Sequence, residues 1–155
     1  AAGRNDSASK WLTLAVVGCG TFMSALDGSI VNIALPVIAK STGASVSTVE
    51  WVVLVYLITV SASVFVFGHL ADLYGKRRIY LLGLAVFLAG SFFCGLSGRV
   101  GLLIGARALQ AVGAAMLFAL SPAILVGAFP PAERGRALGL QATMTYLGLV
   151  AGLPQ

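Results

Sequence analysis

The stretch GHLADLYGKRR, at residues 68–78, is a short polar connector between two long apolar runs. It ends in three consecutive cations, and cations beside a hydrophobic segment tend to stay on the cytoplasmic side of a bilayer. Its two glycines, Gly68 and Gly75, lack a Cβ and allow two helix ends to meet in a tight turn. Asp72 falls near the end of the second apolar run, where the helix dipole disfavours an anion, so we expect it to have a partner elsewhere. The connector therefore predicts how the chain is threaded through a membrane.

The composition is typical of a helical membrane protein. Of the 155 residues, 59% are hydrophobic and 10% are charged, and the mean hydropathy is +0.98. The net charge of +5 does not indicate a nucleic-acid partner, because the cations are not gathered into one patch. The sequence contains no nucleophile–base pair, metal-ligand spacing or phosphate-binding loop, so it predicts no enzyme, no cofactor and no metal.

Five apolar segments follow a lead, residues 1–10, that we expect to be flexible and cytoplasmic. The predicted spans cover about residues 11–38, 48–70, 79–96, 100–129 and 136–155. A helix needs roughly 20 residues to cross the hydrocarbon core, and the short loops make neighbouring helices antiparallel. The last segment is still apolar at Gln155. Residues 11–155 are therefore expected to be a partial N-terminal transmembrane domain with a truncated fifth helix.

The cations are distributed unevenly between the two ends of the predicted helices. The cations at one end are Arg4, Lys10, Lys76, Arg77, Arg78, Arg134 and Arg136, and those at the other are Lys40 and Arg99. This bias places the N-terminus in the cytoplasm and predicts a multi-pass protein of the inner (plasma) membrane. A basic loop alone is common in membrane proteins and indicates topology only.

Two charged residues, Asp27 in the first span and Arg107 in the fourth, lie at membrane depth. An ionisable group there costs about 3 to more than 10 kcal/mol, so it normally faces the interior of a bundle and has a function. Helix 1 runs outward and helix 4 runs inward, which puts both groups in the outer half and suggests a pair. The pair could be a static lock between the helices or a site that carries a proton.

Residues near the two charges favour a functional site. They are small, soft or weakly polar groups that suit the wall of a substrate cavity: Met23, Ser24, Gln110 and Phe118. Asn32 lies roughly 140° around helix 1 from Asp27 at 100° per residue. We therefore expect Asn32 to bond to another helix rather than to line the cavity.

The connector also resembles a family signature. The order G-x-L-A-D-x-x-G-[KR]-[KR] is similar to the loop between helices 2 and 3 of the major facilitator superfamily of transporters. The matching positions, which the resemblance assigns to a gating loop, are Gly68, Asp72, Gly75, Lys76 and Arg77. Leu73 stands where that family usually has an arginine.

Three further stretches extend the resemblance. Residues 26–36, LDGSIVNIALP, look like the helix 1 signature of the drug:proton antiporter branch with fourteen helices, although Ser29 replaces the usual threonine. Residues 107–115, RALQAVGAA, resemble the helix 4 motif, whose arginine is implicated in proton coupling. Residues 148–154 resemble the start of the antiporter motif in helix 5, but Leu153 separates a glycine and a proline that are normally adjacent.

The resemblance implies an all-α membrane fold comprising helices 1–5 of an N-terminal six-helix half. It implies proton-coupled multidrug efflux of the kind that gives antibiotic resistance, with Asp27 and Arg107 coupling the proton. The expected partners are a small lipophilic substrate (cations included), protons, the bilayer and a C-terminal half of the same chain. Two alternatives remain open: a symporter or uniporter for another small solute, and a non-transporting tetraspan scaffold.

Overall fold

The computed structural model describes residues 2–152, with side chains from residue 8 onward, and those residues form a bundle of five α-helices. The helices are α1 (Ala2–Thr42), α2 (Val46–Tyr74), α3 (Lys76–Leu96), α4 (Val100–Ala128) and α5 (Arg134–Ala151). Helices α1 to α4 are long and apolar enough to cross a membrane. The all-α membrane fold predicted from the sequence is confirmed.

Helix boundaries differ from the prediction at several ends. Helix α1 begins at Ala2, so the described part of the lead is helical where we expected it to be flexible. Residues 4–10 contain neither glycine nor proline, and nothing interrupts the backbone ladder before the apolar run. The cytoplasmic location of the lead stays a prediction. Residues 153–155, which carry the end of the helix 5 motif, lie outside the described residues.

The connector between α2 and α3 is a single residue, Gly75, and not the eight-residue loop predicted over residues 71–78. Helix α2 continues through Asp72 to Tyr74 because no glycine or proline interrupts this segment. Gly75 has φ +96°, and its N–H donates to the carbonyl oxygen of Ala71 at 3.0 Å. A residue with a Cβ would be strained in that conformation, so glycine alone permits so short a reversal.

Helix α4 is the centre of the bundle and contacts each of the other four helices. Half of its most apolar stretch is buried, compared with 28% or less in α1, α2 and α3. It packs most extensively against α3 and α2, whereas α1 packs chiefly against α5. Small side chains along α4, such as Ala111 and Ala114, are fully buried and permit this close packing. Large apolar side chains cover the outside of the bundle, including Phe65 at 86% exposure, and suit contact with lipid.

The closest approach of α3 to α4 occurs at Gly90. A Cβ added to Gly90 would lie 2.6 Å from the backbone nitrogen and Cα of Gln110. The missing side chain therefore sets how near the two backbones lie and where Gln110 is held. The stripe of Gly83, Phe87 and Gly90 on α3 is buried.

We expect Gly90→Ala to destabilise the full-length protein by about 1–3 kcal/mol, because the new methyl group meets backbone atoms that cannot move aside. Gly95→Ala is the matched control on the same helix, since a Cβ there meets no heavy atom within 4 Å. The control should be neutral or slightly stabilising, because alanine favours helix by up to about 1 kcal/mol. Thermal unfolding of the purified protein in detergent measures both. Equal midpoints for the two variants would contradict the close α3–α4 contact.

Candidate functional site

The two charged residues predicted to pair are in contact and form a closed network with an amide. Arg107 Nη1 donates to Asp27 Oδ2 at 2.5 Å and to Gln110 Oε1 at 2.6 Å. Gln110 Nε2 donates to Asp27 Oδ1 at 2.9 Å. Both carboxylate oxygens therefore accept hydrogen bonds from α4, and the network ties α1 to α4 at membrane depth.

Local helix geometry explains this arrangement. Arg107 and Gln110 are three residues apart on α4 and project from the same face. The Arg107 side chain is 2% exposed and that of Asp27 is 20% exposed, and Gln110 is fully buried. Because both charges are largely buried, each depends on the other for compensation. Coulomb attraction is also much stronger in such a site than at a wet surface.

Helices α2 and α3 also contribute to the site. The guanidinium carbon of Arg107 lies 4.2 Å from the ring centroid of Tyr56 on α2, which is a cation–π contact. Cys94 on α3 lies with its Sγ 3.7 Å from Gln110 Oε1. The sequence did not reveal Tyr56, because an aromatic residue in an apolar run usually packs in a core. Its hydroxyl group in mid-span was the available signal, since such a group needs a polar partner.

A cleft of about 380 Å³ adjoins Arg107 between α1, α2 and α5. It is lined by Gly28, Ser29, Val31, Asn32, Val53, Tyr56, Leu57, Arg107 and Leu149. The prediction that Asn32 does not line a cavity is wrong, because Asn32 borders this cleft. Its expected bond to another helix is not made within the described residues and stays a prediction. The cleft extends around α1, so residues on more than one face of that helix reach it.

The other predicted cavity residues are not brought together. Met23 packs against the apolar core, and the buried Ser24 hydroxyl donates to Gly20 O at 3.0 Å on its own helix. Phe118 is 38% exposed. Only Gln110 joins the ion pair. A substrate-binding role for these residues stays a prediction.

The predicted gating loop is placed at one end of the bundle. Asp72, Lys76 and Arg77 are exposed, and Gly68 is half-buried in the last two turns of α2. Among the side chains of residues 8–152, Asp72 forms no ion pair or hydrogen bond. The partner expected for Asp72 therefore stays a prediction.

The same end of the bundle holds an ion pair between α1 and the turn before α5. Lys10 Nζ lies 2.5 Å from Glu133 Oε2 and so joins α1 to the turn before α5. Trp11 packs edge-on against Phe129, with ring centroids 5.7 Å apart. Arg134 Nε donates to the Phe129 carbonyl oxygen at 3.2 Å. These contacts fix the start of the apolar part of α1.

Comparison with known proteins agrees with the fold. The Major Facilitator Superfamily profile matches residues 17–154. The chain belongs to this superfamily, whose members are transporters that move small solutes across membranes. Family membership favours a transporter over the tetraspan scaffold.

Several relatives are similar over most of the chain. The riboflavin transporter RibZ of Clostridioides difficile is 42% identical over 92% of this chain and 31% of its own length. The multidrug resistance protein Stp of Mycobacterium tuberculosis is 40% identical over 91% of this chain and 26% of its own length. Multidrug resistance protein 3 of Bacillus subtilis is 34% identical over 95% of this chain and 28% of its own length. The chain thus spans less than a third of the length of these relatives.

We expect Arg107→Ala to destabilise the full-length protein by about 3–5 kcal/mol, because it leaves the Asp27 carboxylate without its cation in a buried site. Arg99→Ala, at the exposed α3–α4 connector, is the control and should change stability by less than about 0.5 kcal/mol. Thermal unfolding in detergent measures both.

The double variant Asp27→Asn with Arg107→Gln should regain most of that stability, since removing both charges leaves no uncompensated ion. If Arg107→Ala unfolds at the same temperature as Arg99→Ala, the ion pair does not hold α1 against α4.

Proposed function

We propose that this chain is the first part of a proton-coupled multidrug efflux transporter, a drug:proton antiporter of the fourteen-helix branch. In it, Asp27 takes up and releases the coupling proton. The observation that carries the proposal is the Asp27–Arg107–Gln110 network, in which a buried carboxylate depends on a single arginine for its charge balance. The names of two relatives, both multidrug resistance proteins, support efflux.

The chemistry follows from charge balance at the pair. A proton that binds an Asp27 oxygen neutralises the carboxylate and removes the attraction at 2.5 Å to Arg107. Arg107 then keeps only neutral partners, among them the amide oxygen of Gln110 and the ring of Tyr56. A buried cation with so little compensation is unfavourable, and movement of α1 relative to α4 relieves it. Release of the proton restores the pair.

Such a two-state pair can drive exchange between the two sides of a membrane. Transporters of this general kind rock around a central site, so that the site opens to one side at a time. If Asp27 is accessible to protons from outside in one state and from inside in the other, each cycle carries one proton inward. Exchange requires that the substrate be carried outward on the return step.

The substrate of this proposal is a small lipophilic compound, with cations among the candidates. Met23 and Phe118 offer soft apolar surface for it. Further contacts would come from the C-terminal half that we expect in the same chain, since the stretch matched covers less than a third of the length of these relatives. The uneven distribution of cations supports an inner-membrane protein with its N-terminus in the cytoplasm.

A second candidate is a transporter for another small solute, favoured by the 42% identity to a riboflavin transporter. In that case Asp27 and Arg107 form a static lock. Uptake and efflux of riboflavin and of a lipophilic dye, each measured with and without a proton gradient, separate the two candidates.

We expect Asp27→Asn in the full-length transporter to abolish drug efflux in energised vesicles and substrate-induced proton release in detergent, because an amide cannot cycle a proton. Binding of a neutral drug should survive, since asparagine keeps the shape and hydrogen-bonding capacity of the side chain. Glu50→Gln, an equivalent change at an exposed position of α2, is the control and should transport normally.

The double variant Asp27→Asn with Arg107→Gln separates coupling from a static lock. It should fold but should not transport drug against a gradient. A double variant that still accumulates drug and releases protons would show that Asp27 is not the coupling carboxylate.

We also expect Asp72→Asn to reduce transport about tenfold without loss of membrane insertion, because it would remove the charge from the hydrogen bond, worth roughly 1.5 kcal/mol, that we expect Asp72 to make at the proposed gate with a partner beyond the described residues. Glu50→Gln serves again as control, since it lies at the opposite end of the same helix. Transport at the wild-type rate in a normally expressed Asp72→Asn protein would mean that the connector acts only as a topology signal.

A further inference from the structure

Two hydrogen-bond donors in the site have no partner among the described residues. They are the hydroxyl of Tyr56 and the Nε–H of Arg107. The two residues are 7% and 2% exposed. Both residues line the same cleft, beside Gly28 and Asn32 of α1. Buried polar groups in native proteins almost always have a protein or water partner. Two such donors at one cleft therefore indicate an occupant with acceptor atoms.

We propose that this cleft holds water bonded to Tyr56 Oη and Arg107 Nε, and that the water is the path by which protons reach Asp27. The role in proton delivery rests on the function proposed above, whereas hydration of the cleft does not. The volume of about 380 Å³ is far larger than the roughly 30 Å³ that one molecule occupies in the liquid. With Asn32 and the Ser29 oxygen also at the cleft, a water there has the two to four polar partners that it needs.

Charge and chemistry favour water over other occupants. An anion is disfavoured because Asp27 already balances the charge of Arg107 at 2.5 Å. A purely apolar molecule would leave both donors unsatisfied. Water accepts from both donors and still has protons of its own to donate, so a chain of water molecules can pass a proton onward to a carboxylate.

The position of the cleft determines the direction from which protons arrive. Asn32 lies about 15 Å along α1 from its end at Thr42, and Val53 lies about 10 Å along α2 from its start at Val46. Both distances are measured from the α1–α2 connector. The distribution of cations predicts that this connector lies outside. Toward the opposite end a second cleft, of about 330 Å³, lies between α1, α3 and α4, but none of its lining residues lines the first cleft. We therefore infer that the path leads to the site from the α1–α2 connector.

Thiol labelling tests the hydration of the cleft. In a cysteine-free full-length transporter, we expect Asn32→Cys to react with a membrane-impermeant maleimide added outside cells, because thiolate formation needs water. Ile30→Cys is the matched control: it lies two residues away on α1 at a 50% exposed apolar position outside the cleft, and it should react at least tenfold more slowly. Lys40→Cys, at the exposed end of α1, should react fastest.

Proton release tests the path itself. Tyr56→Phe keeps the ring under Arg107 and removes only the hydroxyl, so it should slow substrate-induced proton release about tenfold with an unchanged melting temperature. Tyr80→Phe is the control, because that buried tyrosine donates instead to backbone oxygens of α1 at 3.4 Å. It should release protons at the wild-type rate.

Each outcome is decisive. If Asn32→Cys reacts no faster than Ile30→Cys, the cleft is dry and the inference is wrong, even where Asp27→Asn abolishes transport. If Tyr56→Phe releases protons at the wild-type rate, Tyr56 does not hold the path. If Asn32→Cys reacts rapidly but Asp27→Asn transports normally, the cleft is hydrated and the function proposed for Asp27 is wrong.

Discussion

The behaviour of the whole site depends on the ion pair between Asp27 and Arg107. This pair crosses a seam in the bundle, the boundary between α2, α3 and α4 on one side and α1 and α5 on the other. Helices α2 and α3 pack on α4, whereas α1 packs chiefly on α5. The pair is one of few polar links between these two groups of helices, and it is largely buried, where Coulomb attraction is stronger than at a wet surface. A proton on Asp27 therefore removes an ionic attraction across the seam. Apolar packing elsewhere in the bundle does not respond to protons, which supports the coupling role proposed for the pair.

Within the described part of the chain, small and aromatic residues, and no further charged residues, pack around Asp27 and Arg107. Gly90 lets α3 approach α4 closely enough to hold Gln110, and Tyr56 covers the guanidinium of Arg107 with its ring. This surrounding allows a cation to be buried without a second anion. A second carboxylate would compete with Asp27 and hold Arg107 when Asp27 takes up a proton, and the change in charge would then have less effect.

Periodicity, charge and motif order predicted the fold and the buried pair, because both depend on local sequence. Asp27 and Arg107 are conspicuous in apolar runs, and their depths follow from counting along each helix. The contribution of Tyr56 and the position of Asn32 depend on how α2 lies against α1, and no periodicity in one helix encodes that. The extension of α2 to Tyr74 was missed for a different reason: polar residues suggested a loop, although none of the residues after Gly68 in that helix is a helix breaker.

The contact between Lys10 and Glu133 gives α1 a second point of attachment, about 25 Å along the helix from Asp27. Helix α1 also packs on α5, so the two ionic contacts add to an apolar interface. If a proton releases Asp27 as proposed, the contacts of Lys10 and Trp11 still hold the other end of α1. The helix would then swing about that end, far from the proton that frees it. A small rotation there would displace the connector beyond Thr42 by several ångströms.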